Sequence, residues 1–267
     1  MLLRIPDPYD FDLSTERFRA FGTDLANLWH EDGLHRVVGG REIRIEAAAG
    51  GVEVTPCDAG VEAVVRKLLG AEFDLPPFIG WAAGQPVLAG IVSRLAGFRP
   101  PLATDPFESL VTSITAQQVS LFAALAIRNR LTERFGERGE LAYAFPARER
   151  VAAVSEDELV ALGFSRRKAE YVIGLARSDL DLNALATLDD DEVRARLTAV
   201  RGLGPWTAEW FLARHLARPR AWPAGDLGVR KAAESLYGLG VHELGRRLDP
   251  FQNLSAQYLL TGMRVSG

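Results

Sequence analysis

Two different hydrophobic periods run along this chain. Between residues 34 and 56 the period is two: residues 34–38 and 42–47 alternate apolar and polar, Gly39-Gly40 lies between them, and residues 52–56 follow Gly50-Gly51. That pattern predicts a hairpin and a third strand. On either side the period is near 3.6. Val61, Val64, Val65, Leu68 and Leu69 fall on one face of a helix over residues 59–69, and residues 18–29 also read as helix. Beyond about residue 85 the strand signal disappears. Residues 87–95 form a short helix that Arg99-Pro100-Pro101 closes off. Asp105 then precedes Pro106 as an N-cap precedes a first helical position, and Phe107, Leu110, Val111 and Ile114 continue at helical spacing to a stop at 115–118. Further helices are predicted over 120–135, 156–162, 166–178, 190–197, 205–216, 227–236 and 254–264. The fold expected is mainly α with a small N-terminal α+β domain, divided as residues 1–82 and 83–267.

Composition adds boundaries to this picture. The 267 residues suffice for two modest cores, and 48% hydrophobic with 25% charged residues is ordinary for a globular protein. The longest uncharged stretch, residues 75–93, is broken by Pro76, Pro77, Gly80, Gly84 and Pro86, so it predicts two short helices or turns in a core rather than a membrane span. The first residues carry acids where a signal peptide needs an apolar run. A single cysteine, Cys57, excludes an intramolecular disulfide and an iron–sulfur cluster, and His30, His35, His215 and His242 lack ligand spacing. A cytoplasmic, nucleoid-associated protein is expected, with no interface signal and hence a monomer. The net charge of −4 argues against nucleic acid as a partner, yet residues 196–247 hold nine Lys or Arg against four Asp or Glu. A basic patch on an acidic body is one reading, and a solvated helix face is the other.

The most informative stretch is Leu197 to Ala208, LTAVRGLGPWTA. One helix ends near Val200, Gly202 and Gly204 allow a tight turn with positive φ, and a second helix starts at Pro205. Its free N–H groups form a place for a phosphate, and the turn's carbonyls can hold a monovalent cation. The same residues also make an ordinary αα-corner with glycine as C-cap. This segment resembles the helix-hairpin-helix motif of the HhH-GPD superfamily of DNA glycosylases. Three other segments carry the resemblance in the family's order: Asp105-Pro106-Phe107-Glu108 with Ile114-Thr115-Ala116-Gln117-Gln118-Val119-Ser120, then Leu162-Gly163-Phe164-Ser165-Arg166-Arg167-Lys168-Ala169, then Trp222-Pro223-Ala224-Gly225-Asp226. The first 82 residues are similar to the amino-terminal domain of the bacterial 3-methyladenine DNA glycosylase II (AlkA) branch.

The resemblance implies a helix-hairpin-helix DNA glycosylase fold, double-stranded DNA with damaged bases as partner, and removal of alkylated or deaminated purines such as 3-methyladenine, 7-methylguanine and hypoxanthine. It makes Asp226 the carboxylate that stabilises an oxocarbenium-like sugar, a role compatible with Asp226 also capping the helix that follows. A flipped base needs walls. Trp206 and Trp210, at i and i+4, supply them by family position, although a tryptophan pair can equally be core. Gln118 stands where the family presents its wedge, or else it is a solvent-facing loop residue. Phosphate contacts fall to Gly202, Leu203, Gly204, Trp206 and Thr207. Carbonyls of Thr198, Val200 and Leu203 would hold structural Na+ or K+, and catalysis needs no cofactor. Bifunctional relatives carry a hairpin lysine where this chain has Trp206, and the three lysines, Lys67, Lys168 and Lys231, lie outside the hairpin, so base removal without strand cleavage is expected. The chain departs from the family at Leu260, where a pocket tryptophan is usual. An aliphatic wall there weakens cation–π attraction and favours neutral hypoxanthine over cationic methylpurines. The alternative is a helix-hairpin-helix protein that binds lesions without cutting.

Overall fold

A computed structural model describes residues 1–265. Five strands, β1 (Leu2–Arg4), β2 (Leu28–His30), β3 (Gly33–Val38), β4 (Arg41–Ala48) and β5 (Gly51–Thr55), make one antiparallel sheet in the order β1-β5-β4-β3-β2. Gly39 and Gly40 close the β3–β4 hairpin with φ of +57° and +74°, the double positive φ that a tight right-twisting turn requires. The register puts Leu34 opposite Ile45 and Ile45 opposite Val54. All three are buried with Val61, Val65 and Leu68 of α2 (Ala59–Leu68), so the period-two and period-3.6 stripes meet in one core. A short α1 (Phe11–Thr15) covers the sheet's side.

The remaining helices are α3 (Leu75–Ala82), α4 (Pro86–Arg94), α5 (Pro106–Ala116), α6 (Leu121–Phe135), α7 (Arg148–Ala152), α8 (Glu156–Ala161) and α9 (Arg166–Arg177), followed by α10 (Asp190–Ala199), α11 (Pro205–Arg214), α12 (Leu227–Tyr237), α13 (Val241–Arg247) and α14 (Gln252–Val265). They hold two further cores. One is built from α5 to α11. The other joins α3 and α4 to α12, α13 and α14, with Phe78 5.0 Å from Tyr258 and 5.7 Å from Phe251, ring to ring. The boundary expected at residue 82 falls between α3 and α4, which share that core. No helix among the described residues is long and apolar enough to cross a membrane.

Residues 18–29 are not a helix. A short 3-10 turn (Glu16–Phe18) leads into irregular chain and then β2. Gly22 takes a φ of +107°, and the Asp24 carboxylate accepts the backbone N–H groups of Ala26 and Asn27. A side chain that bonds its own downstream amides offers the backbone an alternative to helix, and here it wins over hydrophobic spacing. The strands β1 and β2 and the helices α7 and α13 were not anticipated. Each has seven residues or fewer, too short for a periodic signal.

A buried cluster of charges joins the sheet to the helices. Arg36 of β3 donates to Glu108 of α5 at 2.6 Å, to Asn27 at 2.6 Å and to Thr104 at 2.9 Å. Arg128 of α6 bonds the other oxygen of Glu108, and also Asp24. Burial opposes ionisation of Glu108 and Asp24, but Arg36 and Arg128 at Glu108, and Arg128 at Asp24, hold both carboxyls below the usual range. Folded-state values below the unfolded ones give stability that is complete above the ordinary carboxylate range and is lost as pH falls below about 4. Glu108→Gln leaves two buried guanidinium groups short of charge. Denaturant titration at pH 7 is expected to show a loss of about 3 kcal/mol. The gap should narrow as pH drops below 4, and a gap constant with pH would refute the assignment.

Candidate active site

The hairpin forms as α10, a turn and α11. Val200 caps α10, Gly202 turns the chain at a φ of +94°, and Gly204 is the N-cap of α11 with Pro205 at its first turn. Gly202 is required twice over: besides its φ, a Cβ there would lie 2.2 Å from Cγ of Tyr171 on α9. Leu203 is buried and pins the turn into the core. Gly204 has no side chain to cap α11, which leaves first-turn N–H groups, those of Trp206 and Thr207 among them, without a capping partner. The Thr207 hydroxyl is buried without a hydrogen-bond partner among the described residues, so Thr207 offers its backbone and not its side chain.

Two other motif segments close on the hairpin. Gln117 donates its side-chain N–H to the Gly202 carbonyl at 2.9 Å, and Lys168 Nζ donates to the Thr115 carbonyl at 2.8 Å, capping the end of α5. Gln118 follows in the left-handed region at a φ of +56° and is exposed. Val119 and Leu121 are 40% and 52% exposed beside it, and Leu227 is 63% exposed across the cleft. An apolar rim with a polar tip is thus held out to solvent.

Asp226 lies at the start of α12. Its Oδ1 accepts the N–H groups of Gly228 and Val229 at 2.8 and 3.2 Å. Its Oδ2 accepts Nε1–H of both Trp206 and Trp210, each at 3.1 Å. One turn of α11 aims two indoles at one oxygen, which is why their i, i+4 spacing matters. All four partners are donors, and a carboxylate accepts on both oxygens. Leu260 of α14 packs against the same turn: a Cβ on Gly228 would meet Leu260 Cδ2 at 2.6 Å. Asp226, Trp206, Trp210, Leu260 and Gln118 all line one cleft of about 1380 Å3. A smaller cavity of about 680 Å3, with Trp222, Arg230 and His242, lies on the other side of Trp206.

The tryptophans differ from the open stacking walls expected. Trp206 is half-buried and lines both cavities, but Trp210 is 4% exposed. A cation already covers one face of Trp210: the Arg214 guanidinium carbon lies 3.6 Å over the ring centroid. The basic surplus of residues 196–247 is also smaller than it reads. Arg196, Arg201, Arg218, Arg220 and Arg247 are held in ion pairs with Glu192, Glu170, Asp190, Asp249 and Glu243. Arg214, Arg230, Lys231 and Arg246 make no ion pair among the described residues, although Asp226 acts on Arg214 from a distance. Arg230 and Lys231 are exposed within one turn of Asp226, and Lys231 lines the cleft.

No group of three or more His, Cys, Asp or Glu among the described residues could hold a metal ion. Thr198, Val200 and Leu203 are a different donor set, neutral carbonyls at the end of α10 and in the turn. The Val200 carbonyl also accepts the Leu203 N–H at 3.1 Å, which leaves it a second lone pair. Sequence reasoning assigned no role to Gln117, Lys168, Tyr171 or Arg214. The first two sit inside quoted motifs, and the last reads as an arginine at a helix end.

Residues 111–245 match the family model described as HhH-GPD superfamily base excision DNA repair protein. The chain is 32% identical over 164 residues to a Bacillus subtilis protein named DNA-3-methyladenine glycosylase, covering 58% of this chain and 54% of that one. It is 30% identical over 256 residues to the Mycobacterium tuberculosis protein named probable bifunctional transcriptional activator/DNA repair enzyme AlkA, covering 86% of this chain and 50% of that one. The chain thus spans about half the length of the curated relatives it matches. The solved 3-methyladenine DNA glycosylase of Archaeoglobus fulgidus superposes with a TM-score of 0.88 at 26% identity, over 99% of both chains.

Gly202→Ala is expected to lose about 1–3 kcal/mol in a denaturant titration, from the strained φ and the clash with Tyr171. Adding Tyr171→Ala should restore part of that loss. No restoration would mean that φ alone makes Gly202 necessary.

Proposed function

We propose that this chain, which belongs to the HhH-GPD superfamily of base excision DNA repair proteins, hydrolyses the N-glycosidic bond of alkylated or deaminated purines flipped out of double-stranded DNA. The observation that carries this reading is Asp226, fixed by four hydrogen bonds at the side of a deep cleft. As the bond from C1′ to the base breaks, the electron pair leaves with the base and the sugar becomes oxocarbenium-like. A carboxylate that cannot rotate stabilises that charge without reorganising, and water then forms the new C1′–O bond and loses its proton. The names of the relatives support 3-methyladenine as a substrate, and the reading extends to 7-methylguanine and hypoxanthine as purines of the same alkylated or deaminated kind.

The other site residues take roles consistent with this. The backbone at Gly202, Leu203, Gly204, Trp206 and Thr207 would bind a DNA phosphate. Na+ or K+ on the carbonyls of Thr198, Val200 and Leu203 would bridge to it, and catalysis uses no cofactor. Trp206 and Leu260 bound the base. Gln118, with its strained backbone and apolar neighbours, would fill the gap that the base leaves. The protein would act as a monomer in the cytoplasm, where the nucleoid lies. Strand cleavage is not expected, because the hairpin presents Trp206 rather than a lysine. Lys231 is the amine to watch, since it lines the cleft.

End-labelled duplexes with hypoxanthine or 7-methylguanine, and methylated DNA for 3-methyladenine, test the reading with and without alkali. Breaks are expected only after alkali, and Asp226→Asn should slow excision at least about a hundredfold with DNA binding retained. Breaks without alkali that vanish in Lys231→Ala would reveal a lyase. Binding with no excision of any lesion would identify a lesion binder that does not cut. Gln118→Ala should slow excision from duplex by about tenfold or more and from single strands much less. Equal losses on both would remove the wedge role.

A further inference from the structure

Beside Trp210 the cleft holds two guanidinium groups that no ion pair engages, with Asp226 acting on Arg214 and Asp24 and Glu16 on Arg17 only from a distance. Arg214 stacks on Trp210, and its Nε is buried with no hydrogen-bond partner among the described residues. Arg17 lines the same cleft without an ion pair among the described residues, its nearest acidic influences being Asp24 and Glu16. Arg264, the third arginine nearby, differs: it is paired with Glu16 at 2.5 Å. Burial, and after it the charge of Arg17, push Arg214 well below the ordinary guanidinium range, while Asp226 works the other way. Burial also lowers Arg17 to about 10, with Arg264 adding to it. Guanidinium groups stay protonated at neutral pH, so both arginines bring positive charge to the cleft without a direct partner for it. Unpaired buried donors are costly, and they persist where a ligand satisfies them.

A cationic base would fit this end badly. The nucleosides of 3-methyladenine and 7-methylguanine already carry a positive charge, and they leave as neutral bases that need little help. A neutral purine is the harder case. When its bond to C1′ breaks, the electron pair goes to the purine ring as an anion. In a 6-oxopurine that charge spreads to the oxygen, where an N–H donor can meet it.

We propose, on the reading of the cleft as a glycosylase site, that Arg214 donates to the exocyclic oxygen of a flipped 6-oxopurine and stabilises the departing purine anion, with Arg17 supplying further positive field. Hypoxanthine is the base that fits. Asp226 stabilises the sugar, water forms the C1′–O bond, and the proton that water loses returns to the purine. The specificity follows from charge: an anion develops only on a base that starts neutral. Arg214 therefore acts on the chemical step rather than on capture of the lesion.

Single-turnover excision rates from duplexes with hypoxanthine, with 7-methylguanine and with 1,N6-ethenoadenine test this. 7-Methylguanine has the same oxygen but a positive charge, and ethenoadenine is neutral but lacks the oxygen. Comparing each ratio between wild type and variant cancels the intrinsic lability of the cationic nucleoside. Arg214→Met should lower the hypoxanthine to 7-methylguanine ratio, and the hypoxanthine to ethenoadenine ratio, by about tenfold or more. Arg214→Lys, which restores the charge, should recover part of both. Lesion affinity measured by binding should move less than the rate. Arg17→Gln, at a half-buried position, should lower the same ratios by a smaller factor, and it stands in if Arg214→Met does not fold. Equal losses on all three lesions in a folded Arg214→Met, or unchanged ratios in Arg17→Gln, would overturn the proposal. Wild-type excision of methylpurines without hypoxanthine would overturn it while leaving the glycosylase reading intact. No excision of any lesion would overturn both.

Discussion

The four charges of Asp24, Arg128, Glu108 and Arg36 are the contact on which the cleft depends. They come from the irregular chain before β2, from α6, from α5 and from β3, so they fix two helices to the sheet at one point. All four also line the cleft. Burying them is costly in desolvation, and the cost is offset only because each guanidinium fork meets its own carboxylates and amides. Thr112 accepts from Arg128 Nε at 3.1 Å, so even the third donor of that arginine is used. From this point α5 runs to Gln117 and Gln118. The tilt of α5 at the cluster therefore sets where the tip of the α5–α6 turn stands. At its far end the Gln117 bond to the Gly202 carbonyl ties that turn to the hairpin. One helix thus connects the sheet, Gln118 and the hairpin turn.

The two oxygens of Asp226 are held from two different elements. Its Oδ1 does what an N-cap does, accepting amides that α12 leaves open. Its Oδ2 is held from the other side by α11. The cap fixes the carboxylate relative to α12, and the two indoles fix it relative to the hairpin. A helix start alone would leave the second oxygen free to follow solvent. Two donors from a packed helix remove that freedom, and preorganisation of this kind makes an electrostatic stabiliser effective.

The helical half was readable because its stripes are long and its caps are ordinary: Asp105, Ser120, Ser155, Ser165 and Asp189 each accept the N–H three residues on. The turn of the hairpin was readable from Gly202, Gly204 and Pro205, but these residues fit a plain αα-corner equally well, and only the resemblance separated the two. What could not be read was direction. Spacing put Trp206 and Trp210 on one face, but it could not say that both indole edges meet Asp226 or that Arg214 covers a face of Trp210. Glu108 lay inside a quoted motif with no role, because its partners are 72 and 20 residues away in sequence. Residues 18–29 misled for a related reason. Phe18 and Phe21 keep helical spacing, but they line the cleft rather than a helix face. The positive count over 196–247 misled because pairing is three-dimensional: Arg201 meets Glu170, and Arg218 meets Asp190.

Trp210 joins the two electrical ends of the cleft. Its N–H points to Asp226, and its face carries Arg214. Heterolysis of a bond between sugar and neutral base creates a positive charge on the sugar and a negative one on the base. A carboxylate and a guanidinium separated by one indole match that polarity. Neither charge can migrate to neutralise the other, because the carboxylate is held by four bonds and the guanidinium by the ring beneath it. Stored charge separation of this kind lowers the barrier only for a reaction that develops the same separation. For a base that begins cationic, the bond breaks with charge moving from base to sugar, and the arginine end then faces a charge that it repels at the start and need not stabilise at the end. The aliphatic Leu260 is consistent with the same polarity: beside a Trp210 face that Arg214 already covers, it adds no second aromatic face to attract a cation.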